Sequence, residues 1–179
     1  MKPSNVLILP GWESSGAGHW QTLWEQRHGY VRVEQHDWMK PRRGDWLARL
    51  EDMVLARDEP AVLVAHSLGC MLAAAWSAHS RNTHRVKGAL LVAPGDVERP
   101  EIREQLPSWS PIELGALAFP SVLVASRNDP YCAFERARLF AQAWGSQLID
   151  YGDGGHINAE SGLASWPEGH VLLQDLMKD

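Results

Sequence analysis

A three-layer α/β/α sandwich on a mostly parallel sheet of about six strands is the fold this sequence predicts. Three observations carry the expectation. Short β-rich apolar runs recur, helix-compatible segments separate them, and the two kinds alternate through the whole chain. The runs lack strict polar alternation, which suits strands covered by helices on both faces. Crossovers between such strands are right-handed.

The first run, Val6–Leu9, leads to a helix over His19–Arg27, and the second, Val31–Gln35, to a helix over Asp45–Arg57. In that helix Trp46, Leu47, Leu50, Met53 and Val54 fall at helical spacing, with charges on the other side. Ala61–Ala65 is followed by an alanine-rich helix, Leu68–His79. After Ala89–Ala93 the rhythm breaks. Residues 94–120 are rich in proline and poor in strand pattern, and read as a surface excursion with short helical turns in preference to a small lid. Ser121–Ala125, a helix over Tyr131–Trp144, the run Gln147–Tyr151 and an amphipathic stretch, Val171–Met177, complete the pattern.

With 179 residues and 45% hydrophobic content, the chain can bury one sizeable core but is too short for two ordinary domains, so residues 1–179 are expected to form one domain. The formal net charge is -5 and the basic residues are scattered. No nucleic-acid partner is expected, because phosphate binding needs a concentrated cationic face. The opening MKPSNVLILPGW has an apolar run too short for a signal-peptide core, and nothing approaches a membrane-spanning length. Cys70 and Cys132 are too few for a disulfide framework and suit a reducing compartment, so a cytoplasmic protein is expected.

In an open α/β sheet the ligand sits outside the carboxyl ends of the strands, so the residues just after each run carry the chemistry. They are Pro10-Gly11-Trp12, His66-Ser67-Leu68-Gly69, Arg127-Asn128-Asp129-Pro130 and Gly152-Asp153-Gly154-Gly155-His156. Ala65-His66-Ser67-Leu68-Gly69 has the form small-x-Ser-x-Gly at a strand-to-helix turn, as in a nucleophile elbow. Chance produces that pattern in roughly one such chain in ten, and a serine there can simply cap the next helix. Its weight comes from its partners. A nucleophilic serine needs a base, and the base needs a carboxylate to orient it. His156 and Asp129 follow later strands, giving the chain order Ser67, Asp129, His156, which is that of α/β-hydrolases. Asp153 and Asp96 are rival acids; Asp129 is preferred because its loop follows the strand from which this fold usually supplies the acid.

An oxyanion hole requires two backbone donors. Leu68 N–H follows the nucleophile and is the natural first; Trp12 N–H, after the turn at Gly11, is the expected second. His66, adjacent to Ser67 in the turn, points elsewhere and is not expected to be the base. Cys70 and Cys132 read as small apolar packing residues. His19, His28, His79, His84 and His170 show no metal-ligand spacing and read as surface or capping residues, so no metal is expected.

Four segments, GWESSGAGHWQTLWE (11–25), AHSLGC (65–70), FPSVLVASRNDPYC (119–132) and GGHINAESGLASWPEG (154–169), resemble the small serine hydrolases grouped with retinoblastoma-binding protein 9. The resemblance runs nearly end to end and implies a compact α/β-hydrolase without a large cap domain. It also implies a triad at Ser67, Asp129 and His156, hydrolysis of an ester, thioester or amide through an acyl-enzyme, and no cofactor. No Leu-x-Cys-x-Glu segment occurs, so binding to a retinoblastoma protein is not transferred. The tryptophans then acquire places: Trp12, Trp166 and the neighbouring His66 are candidates for a substrate pocket, whereas Trp20 and Trp24 are expected to pack a helix on the sheet. The other class of reading is a protein-interaction module that keeps a hydrolase fold with little turnover.

Overall fold

The computed structural model describes residues 1–178; Asp179, the last residue of the expected 1–179 domain, lies outside the described residues. Six strands form one sheet: β1 (Val6–Leu9), β2 (Val31–Arg32), β3 (Ala61–His66), β4 (Val86–Val92), β5 (Ser121–Ala125) and β6 (Gln147–Asp150). All pairs are parallel, in the order β2-β1-β3-β4-β5-β6. The helices are α1 (Trp20–His28), α2 (Arg43–Leu55), α3 (Leu68–His79), α4 (Pro100–Arg103), α5 (Phe134–Trp144) and α6 (Pro167–Met177). None among the described residues is long and apolar enough to cross a membrane.

The unbroken apolar runs have a direct explanation. Successive strand side chains point to opposite faces, and here both faces are covered. Leu7, Leu9, Leu63, Ala65, Leu91 and Leu123 pack with α2, α3 and α5, while Val6, Ile8, Val62, Val64, Leu90 and Val124 pack with α1 and α6. Seven of the nine tryptophans are at most 1% exposed and are shared between these two layers.

Some boundaries differ from expectation. β2 stops at Arg32, although Val33 N still reaches Ile8 O, because this edge run turns exposed at Glu34. β4 starts earlier, at Val86. α5 starts later, at Phe134, since Tyr131 N is held by Asp129 Oδ1 in a turn. α6 begins at Pro167, a residue whose fixed φ suits the first helical position.

From β1 the chain moves outward to β2, returns to β3 on the far side of β1, and continues in the other direction. The order reverses between β1 and β3, where connections leave toward opposite faces and open a crevice. α1 goes to one layer and α3 to the other. Gly69 makes the join possible. A Cβ there would lie 2.2 Å from Leu9 O, a distance no side chain tolerates.

Candidate active site

Ser67 occupies the turn between β3 and α3 with φ 53° and ψ -119°, in the positive-φ region that a non-glycine residue rarely enters. Its side chain makes no capping bond to α3, which removes the simple helix-cap explanation for a serine here. Ser67 N donates to Val92 O at 3.0 Å and ties the turn to β4. The hydroxyl faces a cleft of about 450 Å³ at the carboxyl edge of the sheet.

His156 and Asp129 arrive from loops after β6 and β5. Nδ1 of His156 lies 3.0 and 2.9 Å from the two Asp129 carboxylate oxygens. A carboxylate only accepts, so Nδ1 carries the hydrogen and Nε2 is left as the basic nitrogen. The pair is well shielded, at 8% and 3% side-chain exposure, and His156 lines the same cleft as Ser67. No hydrogen bond joins Ser67 Oγ to His156 among the described residues; such contacts are often long before substrate binds. The rival acids are placed elsewhere. Asp96 pairs with Arg136 at 3.5 Å, and Asp153 is exposed.

Leu68 and Trp12, whose amides are the expected oxyanion donors, both line the cleft. Leu68 opens α3, and Trp12 follows Gly11, which touches Ser67 so closely that a Cβ would come 2.8 Å from Ser67 Cβ. Sequence reasoning missed the group that fixes this contact. Gln21, fully buried on α1, donates from Nε2 to both Leu9 O and Val64 O at 3.2 and 3.0 Å, and accepts from Ser15 Oγ at 2.7 Å. One side chain thereby clamps the ends of β1 and β3 and the loop between β1 and α1. A glutamine next to Trp20, on the side of the helix that carries the tryptophans, was the available signal.

His66 lines the cleft, and it also holds a neighbouring loop. Its Nε2 donates to the His156 carbonyl at 2.9 Å, so it pins the loop bearing His156. Burial, followed by the nearness of His156 and His19, holds His66 well below the ordinary imidazole range and therefore neutral. His19 accepts from Gln21 N and so caps α1, yet it is buried, not at the surface. Burial first, then His156 and Arg32, lower its pKa to about 4. His79 and His84 are exposed, while His28 and His170 stack on each other at 4.1 Å.

Trp166 corrects the expected pocket. Its ring packs against Trp20 and Trp24, 5.0 and 6.1 Å between centroids, with 1% exposure, and it does not line the cleft. A flat apolar ring gains more by joining that aromatic layer than by facing water. Trp12 does line the cleft, with its indole N–H on Met39 O. Residues 94–120 also differ from a plain surface excursion. Gly95, Val97, Arg99, Ile102, Gln105 and Leu106 form one side of the cleft. They are fixed from behind by buried Trp109, whose indole donates to Pro41 O at 3.0 Å, and by Glu98, which accepts from Ile112 N and pairs with Arg136.

The cysteines offer no rival nucleophile. Burial pushes the Cys70 thiol far up, and burial, then Asp96 and Asp129, pushes Cys132 to about 12, so both stay protonated near neutral pH. Among the described residues no group of three or more His, Cys, Asp or Glu side chains is arranged to hold a metal ion.

A protein-family profile described as serine hydrolase matches residues 6–175. Among solved structures, a YdeN-like hydrolase of Pectobacterium atrosepticum is 32% identical, with 96% of this chain and 89% of that chain covered and a TM-score of 0.84. The ydeN gene product of B. subtilis is 22% identical over 97% of this chain and 98% of that one, with a TM-score of 0.78. Esterase RhEst1 from a Rhodococcus species is 15% identical over 96% and 90%, with a TM-score of 0.65. At those last two identities the likeness is one of fold. No curated protein sequence matches the chain. With a profile that runs from the first strand into the last helix, and a 32% identical relative over nearly its full length, the chain belongs to the serine hydrolase family.

Proposed function

We propose that the protein hydrolyses small esters, thioesters or amides through an acyl-enzyme on Ser67, with His156 as base and Asp129 as its orienting acid. The observation that carries this reading is the contact of His156 Nδ1 with both Asp129 oxygens, at 3.0 and 2.9 Å, beside a serine held at positive φ. Ser67 Oγ attacks the carbonyl carbon while its proton passes to His156 Nε2. The oxyanion is received by the Leu68 and Trp12 amides, donors of a kind commonly worth 10²–10³ in rate each, to order of magnitude. Collapse breaks the bond to the leaving group, which takes the proton back from His156, and water then repeats the sequence on the acyl-enzyme.

A cleft of about 450 Å³ suits a small acyl substrate. Within the family, the motifs quoted above favour the group resembling retinoblastoma-binding protein 9, in a cytoplasmic setting that two free buried cysteines suit. The reaction subtype, carboxylesterase-like or aminopeptidase-like, follows from turnover on short p-nitrophenyl esters against aminoacyl amides. A fluorophosphonate probe is expected to label the wild-type chain and not Ser67→Ala. Equal labelling of both overturns the assignment, and negligible turnover together with a stoichiometric protein partner favours the interaction module.

A further inference from the structure

Beyond the three residues just assigned, Tyr131 touches both members of the acid–base pair, Asp129 through its main chain and His156 through its ring. Its main-chain N–H donates to Asp129 Oδ1 at 2.9 Å and its carbonyl accepts from Asp96 N at 3.2 Å, so its backbone is fixed on both sides. Its ring centroid lies 4.6 Å from that of His156, tilted by 57°. Despite these ties the side chain is 49% exposed and lines the cleft beside Pro130.

Chemistry gives that exposed ring a direction. Whatever departs from the acyl carbon takes its proton from His156, so the departing group lies against this imidazole. Tyr131 packs against that same imidazole and, half-exposed, lines the cleft. The nearby cation does not favour a charged group there, because Arg99 is engaged by Glu101 and by Pro130 O. A flat apolar group is what such a surface holds best.

We infer that Tyr131 is the platform for the leaving group, and that the preferred substrates are esters of aromatic or other flat apolar alcohols. The inference rests on the Ser67–His156 reading above. In acylation Ser67 Oγ bonds to the acyl carbon, the bond to the alcohol oxygen breaks, and that oxygen leaves as the alcohol with the proton from His156. In deacylation the alcohol has gone, and water enters in its place. Tyr131 therefore acts on the first half of the cycle.

The test compares benzyl butyrate with ethyl butyrate, which share one acyl group and have alcohols of similar acidity. Wild-type kcat/KM is expected to favour the benzyl ester by about ten-fold or more. Tyr131→Ala, which keeps the main-chain N–H on Asp129, should lower that preference to below roughly three-fold, and Tyr131→Phe should retain it. Hydrolysis of preformed butyryl-enzyme should change much less than acylation by the benzyl ester. A wild-type ratio near one, or an unchanged ratio in Tyr131→Ala, overturns the inference while fluorophosphonate labelling of Ser67 persists. Loss of labelling in the wild-type chain overturns the underlying reading instead.

Discussion

The two sides of the cleft are held by contacts of different tightness. The side made by Gly11 and the turn 66–69 is fixed chiefly by close main-chain contacts, Gly69 fitting against Leu9 O and Ser67 N bonding to Val92 O, with the Gln21 side chain added across Leu9 O and Val64 O. The side made by residues 94–120 is held by long-range side chains, Trp109 to Pro41 O and Glu98 to Arg136. The difference follows the task of each side. A misplacement of about 1 Å at reacting atoms can cost on the order of 10²-fold in rate, whereas a substrate wall has only to exclude and to fit. Changes on the first side should therefore damage folding and turnover, and changes on the second should show mainly in KM.

The largest effect that could break this contrast is at Gly69. In Gly69→Ala the new Cβ would lie 2.2 Å from Leu9 O and 2.9 Å from Leu9 C, so backbone must move. A loss of more than about 4 kcal/mol is expected by urea unfolding, and a variant as stable as the parent would show that the join is soft.

Acid should act next, and on the same side. His19 is neutral when folded, with its pKa lowered to about 4 from 6.5. Above pH 6.5 it is neutral in both states and contributes no pH dependence. As pH falls from 6.5 toward 4 the unfolded chain takes up the proton first, so stability declines, by about 3 kcal/mol in total from this group. His66, lowered in the same direction, adds to it. Unfolding free energies at pH 7 and pH 4.5 measure this, and a flat profile would contradict the burial of both imidazoles.

The smallest effect belongs to the other side. Glu98→Gln removes a part-exposed ion pair with Arg136 and should raise KM a few-fold with kcat unchanged, on the order of 1 kcal/mol. A fall in kcat at constant KM would mean that residues 94–120 help position the reacting atoms.

The same contrast explains what the sequence made legible. The nucleophile turn could be read because a buried strand passing straight into a buried helix needs small flanking residues, and Ala65 and Gly69 supply them. The Ser67, Asp129, His156 order could be read because each residue follows a strand. The anchors of residues 94–120 could not, since Trp109 and Pro41 are 68 positions apart and share no pattern. Trp166 misled for a related reason: an indole between short loop residues looks alike whether it faces a cleft or a core. Only the placement of Trp20 and Trp24 decides between them.

Those same tryptophans tie down the loop that carries His156. The indole N–H of Trp20 donates to Ile157 O at 2.8 Å and that of Trp24 to Ser165 O at 2.6 Å, joining α1 to the segment between β6 and α6. Apart from one short 3-10 turn at Ala159–Ser161 this segment has no regular structure, a description that ordinarily marks a fast, frayed part of a protein. Here its carbonyls are bonded by a core helix at both ends. Opening the loop that follows His156 therefore requires breaking its bonds to α1 as well as its own.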